Sequence, residues 1–322
     1  MPDILFSGIF LTVWEPMGLI REFHHAHGGD EFYTRYSDIA RELGNYDLSG
    51  MVVYCNCDNP ETSQFLRHFR DNFAALGLKG LMATFMSSSP FLYEFDGRNE
   101  KRTPIQSGRF QDNMGFLDRA DVVVTNPPYS EGAALSLIEA LIQRGKKFIV
   151  VGPLHLIQKK RVIDYVNSGQ LSVGYNSIYR FDGPEGFGIR KSLSVWWTNM
   201  ETRKGPISLT RHYEEGMYPK YDNYDAINVD AIRDIPCDYD GNMGVPISFI
   251  GKYSPSQFEL IGVLTHPKVN GKDIMSRLIV RNKNSRATRT EIRKRDLERL
   301  ISEISGRILP KTVKLKNHYE AH

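Results

Sequence analysis

The sequence predicts an α/β protein: a doubly wound sheet followed by a smaller C-terminal α+β region. Three observations predict it. Short apolar runs alternate with helical patterns up to about residue 151, which is the texture of strand–helix–strand units. One such run ends in Asn126-Pro127-Pro128-Tyr129, at the carboxyl end of a strand, where open α/β sheets bind ligands. After about residue 200 the texture changes, and tyrosine, asparagine and aspartate crowd together.

The elements follow in order. Residues 1–29 read as an N-terminal appendage. Its apolar part, 4–20, is interrupted by Glu15 and Pro16, too short to span a bilayer, and without the basic start of a signal peptide. The run His24-His25-Ala26-His27 has no cysteine or clustered partner nearby and reads as a polar stretch, so no metal is expected. A helix then places Ile39 and Leu43 on one face. Residues 51–55 form a short apolar strand, turning through Asn56-Cys57-Asp58. Asn59 is the expected helix N-cap and Pro60 the first helical residue. Phe65, Leu66, Phe69, Phe73 and Leu76 recur at helical spacing and read as core. A second strand covers 81–85. This unit lacks a glycine-rich G-x-G-x-x-G loop, so that motif does not assign the fold.

Asp96-Gly97-Arg98-Asn99 reads as a hairpin turn. The strand 121–125 leads into the tetrapeptide. Ser130 is placed to cap the next helix, with Ala134, Leu135, Ile138, Leu141 and Ile142 as its apolar stripe and Gly145 at its end. Residues 148–151 form another buried strand, stopped by Gly152-Pro153. The domain organisation is therefore an appendage (1–29), an α/β domain (30–200), a smaller region (201–284) and a basic C-terminal segment (285–322).

Composition is that of an ordinary globular protein long enough to bury a core. Three cysteines are too few for a disulfide scaffold, and Cys55 and Cys57 are spaced C-x-C rather than C-x-x-C. Reduced thiols and a cytoplasmic protein are expected. The net charge of +3 hides an asymmetry. Residues 277–316 carry 13 Lys and Arg against 4 Asp and Glu, while the remainder carries 28 against 34. Such a segment is either a solvated helix and tail or an arm that meets phosphate.

The tetrapeptide suits one chemistry. Asn126 precedes proline and is pushed toward an extended backbone. Pro127 and Pro128 stiffen the turn and remove two backbone donors. What remains is acceptor-rich: the Asn126 side-chain oxygen and the Pro127 carbonyl. An amine conjugated to its ring is a poor nucleophile. Accepting both of its hydrogens localises the nitrogen lone pair and stabilises the positive charge that develops as it attacks. Tyr129 offers a face to the ring, and stacking is worth roughly 1–3 kcal/mol per base. The plain alternative, a rigid turn, is disfavoured by the strand-end position.

Several longer phrases carry a resemblance: Asp30-Glu31-Phe32-Tyr33-Thr34, the stretch 52–60, the tyrosine-rich 218–228, Asp234-Ile235-Pro236, Asp238-Tyr239, Gly244-Val245-Pro246-Ile247 and Gln257-Phe258-Glu259-Leu260. Over about residues 30–279 the chain resembles the EcoRI-type adenine-specific DNA methyltransferases, which use S-adenosylmethionine. The resemblance implies a Rossmann-like methyltransferase sheet, with the C-terminal region as its target-recognition part. It implies that Asp30, Phe32, Tyr33 and Thr34 pack on the methionine end of the cofactor. Tyr54, Asn56 and Asp58 then belong to the first cofactor loop, with Asp58 facing the cofactor's amino group or ribose. Asn126, Pro127, Pro128 and Tyr129 are the implied catalytic motif, acting on an adenine rotated out of duplex DNA. Tyr221, Asn223 and Tyr224 are the implied DNA contacts, and each tyrosine there equally suits a packed core; Arg281 and Lys283, past the end of the resemblance, are DNA candidates by their charge. The family often shows Gly-Asp-Phe before the catalytic strand. Here the sequence is Gly108-Arg109-Phe110, which leaves Phe110 as the cofactor candidate and Asp112 as a stand-in for the missing carboxylate.

Three readings are compatible with these residues. The first is an adenine-N6 DNA methyltransferase acting on double-stranded DNA, of a restriction-modification or orphan type, monomeric and away from membranes. The second is an enzyme of the same fold acting on RNA bases or protein glutamine. The third is a DNA-binding relative that has lost catalysis. The tyrosine-rich phrase and the basic segment favour the first.

Overall fold

The computed structural model describes residues 33–302, apart from 57, 86, 129–131, 184–187, 203–204, 287–289, 291–293 and 296. The appendage with its histidine run, Asp30, Phe32, Tyr129, Ser130 and the end of the basic segment therefore lie outside the described residues. The chain divides into two compact units between Arg203 and Lys204.

The first unit is built on an eight-stranded sheet. Its strands are β1 (Val52–Cys55), β2 (Gly80–Ala83), β3 (Phe91–Phe95), β4 (Glu100–Pro104), β5 (Val122–Thr125), β6 (Lys147–Pro153), β7 (Ser172–Asp182) and β8 (Ile189–Thr198). Their order is β4-β3-β2-β1-β5-β6-β8-β7. The central strands β2, β1, β5 and β6 run parallel, and antiparallel hairpins flank them on both sides. The parallel strands read as continuous apolar runs because both of their faces are covered. Val53, Cys55, Val122, Val124, Ile149 and Val151 face one buried cluster together with Phe65, Leu66 and Phe69. Alternation sends Tyr54, Val123, Phe148 and Val150, all fully buried, to the other face.

Among the described residues, four α-helices accompany the sheet: α1 (Tyr36–Leu43), α2 (Gln64–Asp71), α3 (Ala133–Gln143) and α4 (Lys160–Asn167). Ile39 and Leu43 of α1 join the first cluster as the spacing predicts. The start of α2 differs from expectation. Ser63 is its N-cap, and its hydroxyl accepts from the Phe65 and Leu66 amides. Asn59 instead closes a preceding turn, its side-chain oxygen accepting from the Glu61 amide. The expected hairpin at 96–99 is present, with Gly97 at φ 94° and Asp96 Oδ1 accepting from the amides of Arg98 and Asn99. Gly152 and Pro153 continue β6 rather than stopping it, because β8 pairs across them.

The second unit holds a four-stranded sheet of β9 (Ile227–Asn228), β10 (Met243–Pro246), β11 (Phe258–Leu264) and β14 (Arg277–Asn282), in the order β11-β14-β10-β9. A small hairpin, β12 (Lys268–Val269) with β13 (Lys272–Asp273), stands beside it in sequence. Helical residues return at 297–302. Among the described residues, no helix is long and apolar enough to cross a membrane.

Candidate active site

The sheet order creates one crevice by itself. The chain leaves β1 toward β2 on one flank, while β5 lies on the other flank of β1. Adjacent parallel strands whose connections diverge form a topological switch point, and ligands bind outside its carboxyl edge. At that edge β1 delivers Asn56 and Asp58, and β5 delivers Asn126. The sequence folds this way locally because Val122, Val123, Val124 and Thr125 are all fully buried, whereas the two prolines that follow cannot extend the ladder.

Asp58 is the electrostatic centre of this edge. It is 6% exposed. Ser63 Oγ donates to its Oδ1 at 2.6 Å, and Thr125 Oγ1 donates to its Oδ2 at 2.8 Å. Burial pushes its carboxyl up to about 6, and the two hydroxyl donors offset only part of that. Both oxygens thus serve the chain's own hydroxyls, which makes Asp58 a cross-brace in this structure. Asn56 is fully buried, and its carbonyl accepts from Thr84 Oγ1 at 3.4 Å. Tyr54 is fully buried as well. Its hydroxyl lies 2.6 Å from Thr84 Oγ1 and its ring meets Phe116 edge-on. A ligand at this edge would therefore meet the backbone at Tyr54 and not its ring. Asn126 is half-buried with its side-chain oxygen inside; Pro127 is buried and Pro128 exposed.

Of the other cofactor candidates, Tyr33, Thr34 and Phe110 are described, and they lie toward the same edge of the sheet. β7 runs parallel to β6, because each is antiparallel to β8. Its last residue, Asp182, exchanges two backbone hydrogen bonds with Tyr33, at 2.8 and 2.9 Å. Thr34 is 3% exposed, and its hydroxyl is buried without a hydrogen-bond partner among the described residues. Phe110 is half-buried at the start of a 3-10 helix (Phe110–Arg119). Beside it, Ser87, Ser88, Pro90, Gln106, Ser107, Gly108 and Arg109 line a hollow of about 430 Å³. Asp112, the stand-in for the missing family carboxylate, accepts from Ser107 Oγ at 2.6 Å, and Arg109 is exposed. Sequence reasoning missed Ser63, Thr84 and Thr125. The one signal for them is a hydroxyl residue at the end of each strand or the start of each helix bordering the edge.

The candidate DNA contacts scatter in the second unit. Tyr221 is 6% exposed; its hydroxyl donates to Asn228 Oδ1 at 2.8 Å, and burial pushes it up to about 12. A Cβ on Gly244 would lie 2.1 Å from that hydroxyl, so the ring is packed tightly into the unit's own core. Tyr221 is thus buried in its own unit, with its hydroxyl on Asn228 Oδ1 and the Gly244 carbonyl. Asn223 is exposed, yet its amide ties two loop segments, donating to the His266 carbonyl and accepting from the Lys268 amide. Tyr224 is 37% exposed. Arg281 pairs with Glu259 and donates to Asn242 Oδ1, and Lys283 donates to the Pro255 carbonyl. Among the described residues, His212, Cys237 and Asp238 bring ligand atoms within 4.8 Å of one another. Asp238 already accepts from the Tyr213 amide at 2.7 Å, and this trio is remote in sequence from the tetrapeptide.

The family model described as adenine-specific methyltransferase EcoRI matches residues 23–114 and 102–311. The Type II methyltransferase M.EcoRI of Escherichia coli is 36% identical over 306 residues, covering 79% of this chain and 93% of that protein. The Type II methyltransferase M.MpnI of Mycoplasma pneumoniae is 33% identical over 268 residues, covering 74% of this chain and 83% of that protein. M.MgeORF184P of Mycoplasma genitalium is likewise 33% identical over 268 residues, covering 74% and 84%.

Proposed function

Because the chain belongs to the family of the adenine-specific methyltransferase EcoRI, we propose that it methylates DNA, and specifically the N6 amino group of an adenine rotated out of the duplex. The single observation that carries this is the position of Asn126. An amide oxygen and the following Pro127 carbonyl stand at the carboxyl edge of the switch point, on a strand hydrogen-bonded to the one that delivers Asn56 and Asp58.

The residues present suit S-adenosylmethionine as methyl donor. Thr34 brings a buried hydroxyl without a partner among the described residues. Ser87, Ser88, Gln106 and Ser107 give the neighbouring hollow a polar lining suited to a nucleoside. When bound, the cofactor supplies an electrophilic methyl group. The chain's own residues do the rest. Asn126 Oδ1 and the Pro127 carbonyl accept the two amine hydrogens, orient the lone pair and stabilise the charge that forms on nitrogen. The prolines keep competing backbone donors away from that amine, and Tyr129 is assigned to stack on the ring. The second unit and the basic segment are assigned to the DNA, with Tyr224, Arg281 and Lys283 as its exposed candidates. Asp30 and Phe32 are assigned to the cofactor with Tyr33 and Thr34. A restriction-modification setting, a nucleoid location and monomeric action complete the reading.

Transfer of a radiolabelled methyl group tests it. Duplex DNA should be labelled, while RNA and protein are not. Asn126→Ala should lower the rate by at least about a hundredfold and leave cofactor binding nearly unchanged by calorimetry. Label retained by Asn126→Ala, or found only on RNA or protein, would exclude the assignment.

A further inference from the structure

The Asp58 carboxylate ties together segments that are far apart in the chain. Ser63, which donates to one oxygen, is the N-cap of α2. Thr125, which donates to the other, is 67 residues away and immediately precedes Asn126. The Asp58 amide donates to the Thr84 carbonyl just past β2. Among the described residues, the groups hydrogen-bonded to the Asp58 carboxylate are these two hydroxyls, and its upward shift comes from burial.

The backbone ladder explains why this bond matters. On one side β5 is paired with β6 through its last residue, Thr125 with Val150. On the other side, pairing with β1 stops at Tyr54 and Val123. Beyond Asn126, the two prolines have no N–H with which to resume it. On the β1 side, the Thr125–Asp58 bond ties β5 laterally at the residue immediately before Asn126.

We propose that Thr125 is a positioning residue: its hydroxyl, through Asp58, sets Asn126 against the Asn56–Asp58 turn, so that the amine acceptors and the methyl donor are in register. This rests on the role given to Asn126 above. In-line transfer between two separately bound partners is sensitive to such register, and a displacement of about 1 Å can cost on the order of a hundredfold in rate. Neither ligand need touch Thr125, so its loss should appear in the transfer step more than in binding.

The test uses the full chain with Thr125→Val, which keeps the shape and removes the donor, and Thr125→Ser, which restores the donor. Three quantities are read: the single-turnover methyl-transfer rate, the affinity for S-adenosylhomocysteine, and the pH titration of the Asn126 side-chain amide by NMR. We expect Thr125→Val to slow transfer on the order of tenfold or more with little change in affinity, and Thr125→Ser to stay close to the unmodified chain. In the unmodified chain the Asn126 amide should move as Asp58 protonates near pH 6, and in Thr125→Val it should not. An unmodified chain whose Asn126 amide ignores that titration would overturn the proposal, as would Thr125→Val with an unchanged transfer rate. If the unmodified chain transfers no methyl group to DNA, the functional reading falls, yet the amide titration still decides the brace. That titration also decides it if Thr125→Val does not fold.

Discussion

At the scale of single residues, the site is defined by which polar groups the fold has already used. The family resemblance implies Asp58 as a cofactor residue, and in the fold each of its oxygens also accepts from one of the chain's own hydroxyls. Asn126 stands where the sequence puts it, because a strand of β-branched residues followed by two prolines leaves few other places for it. His68 was invisible as anything but a helix residue. It is 7% exposed in α2, edge-on to Tyr36 and Phe69, with both ring nitrogens buried and unpartnered among the described residues. Burial lowers its folded-state value below 6.5, partly offset by Asp71. The unfolded chain therefore takes up this proton first as pH falls. Stability from neutral His68 is fully present above about 6.5 and is lost progressively as pH drops through the lowered folded value. His68→Phe should keep the ring packing and flatten the decline in stability below about pH 6.5, measured as urea midpoint against pH. An unchanged decline would place its cause elsewhere.

At the scale of elements, the parallel core and the β3–β4 hairpin were legible and the β7–β8 hairpin was not. β1, β2, β5 and β6 are short, apolar and bounded by turn residues, which is a strong local signal. β7 and β8 mix Tyr, Asn, Arg, Lys and Ser with apolar residues, because an antiparallel pair at a sheet edge buries only part of its surface. β7 also shifts register between Val173 and Ser177, which breaks the alternation a reader would look for. The shift is held by Glu42 of α1, which is fully buried and accepts from the Tyr175 and Asn176 amides at 2.8 Å and from Tyr46 Oη at 2.9 Å. Gly174 is obligatory there, since a Cβ would lie 2.1 Å from Glu42 Oε1. Nothing local in the helix pattern announces that a glutamate should face inward. Glu42→Ala should leave two bulge amides without acceptors and cost about 3 kcal/mol or more, read from denaturant unfolding. A loss below about 1 kcal/mol would mean that water replaces the carboxylate.

At the scale of the whole molecule, charge is sorted along the chain more clearly than by net value. Residues 285–322 hold ten Lys and Arg against five Asp and Glu. If this segment meets phosphate, deleting it should make the logarithm of DNA affinity less steep against the logarithm of salt by about two to four; an equal slope would leave the segment a solvated tail. The region after residue 204 was legible as a change of texture, but its tyrosines were not sortable into contacts and core. Tyr221 is buried only because Asn228 and Gly244, seven and 23 residues downstream, come back to meet its hydroxyl. The central claim is that Asn126 directs methyl transfer to adenine N6 in DNA. It is tested most directly by expressing the chain and Asn126→Ala in a host lacking DNA methylation and mapping modified bases by long-read sequencing. The account predicts N6-methyladenine at one recurrent sequence with the unmodified chain and none with Asn126→Ala. An unmodified genome with both, or marks that persist without Asn126, would contradict it.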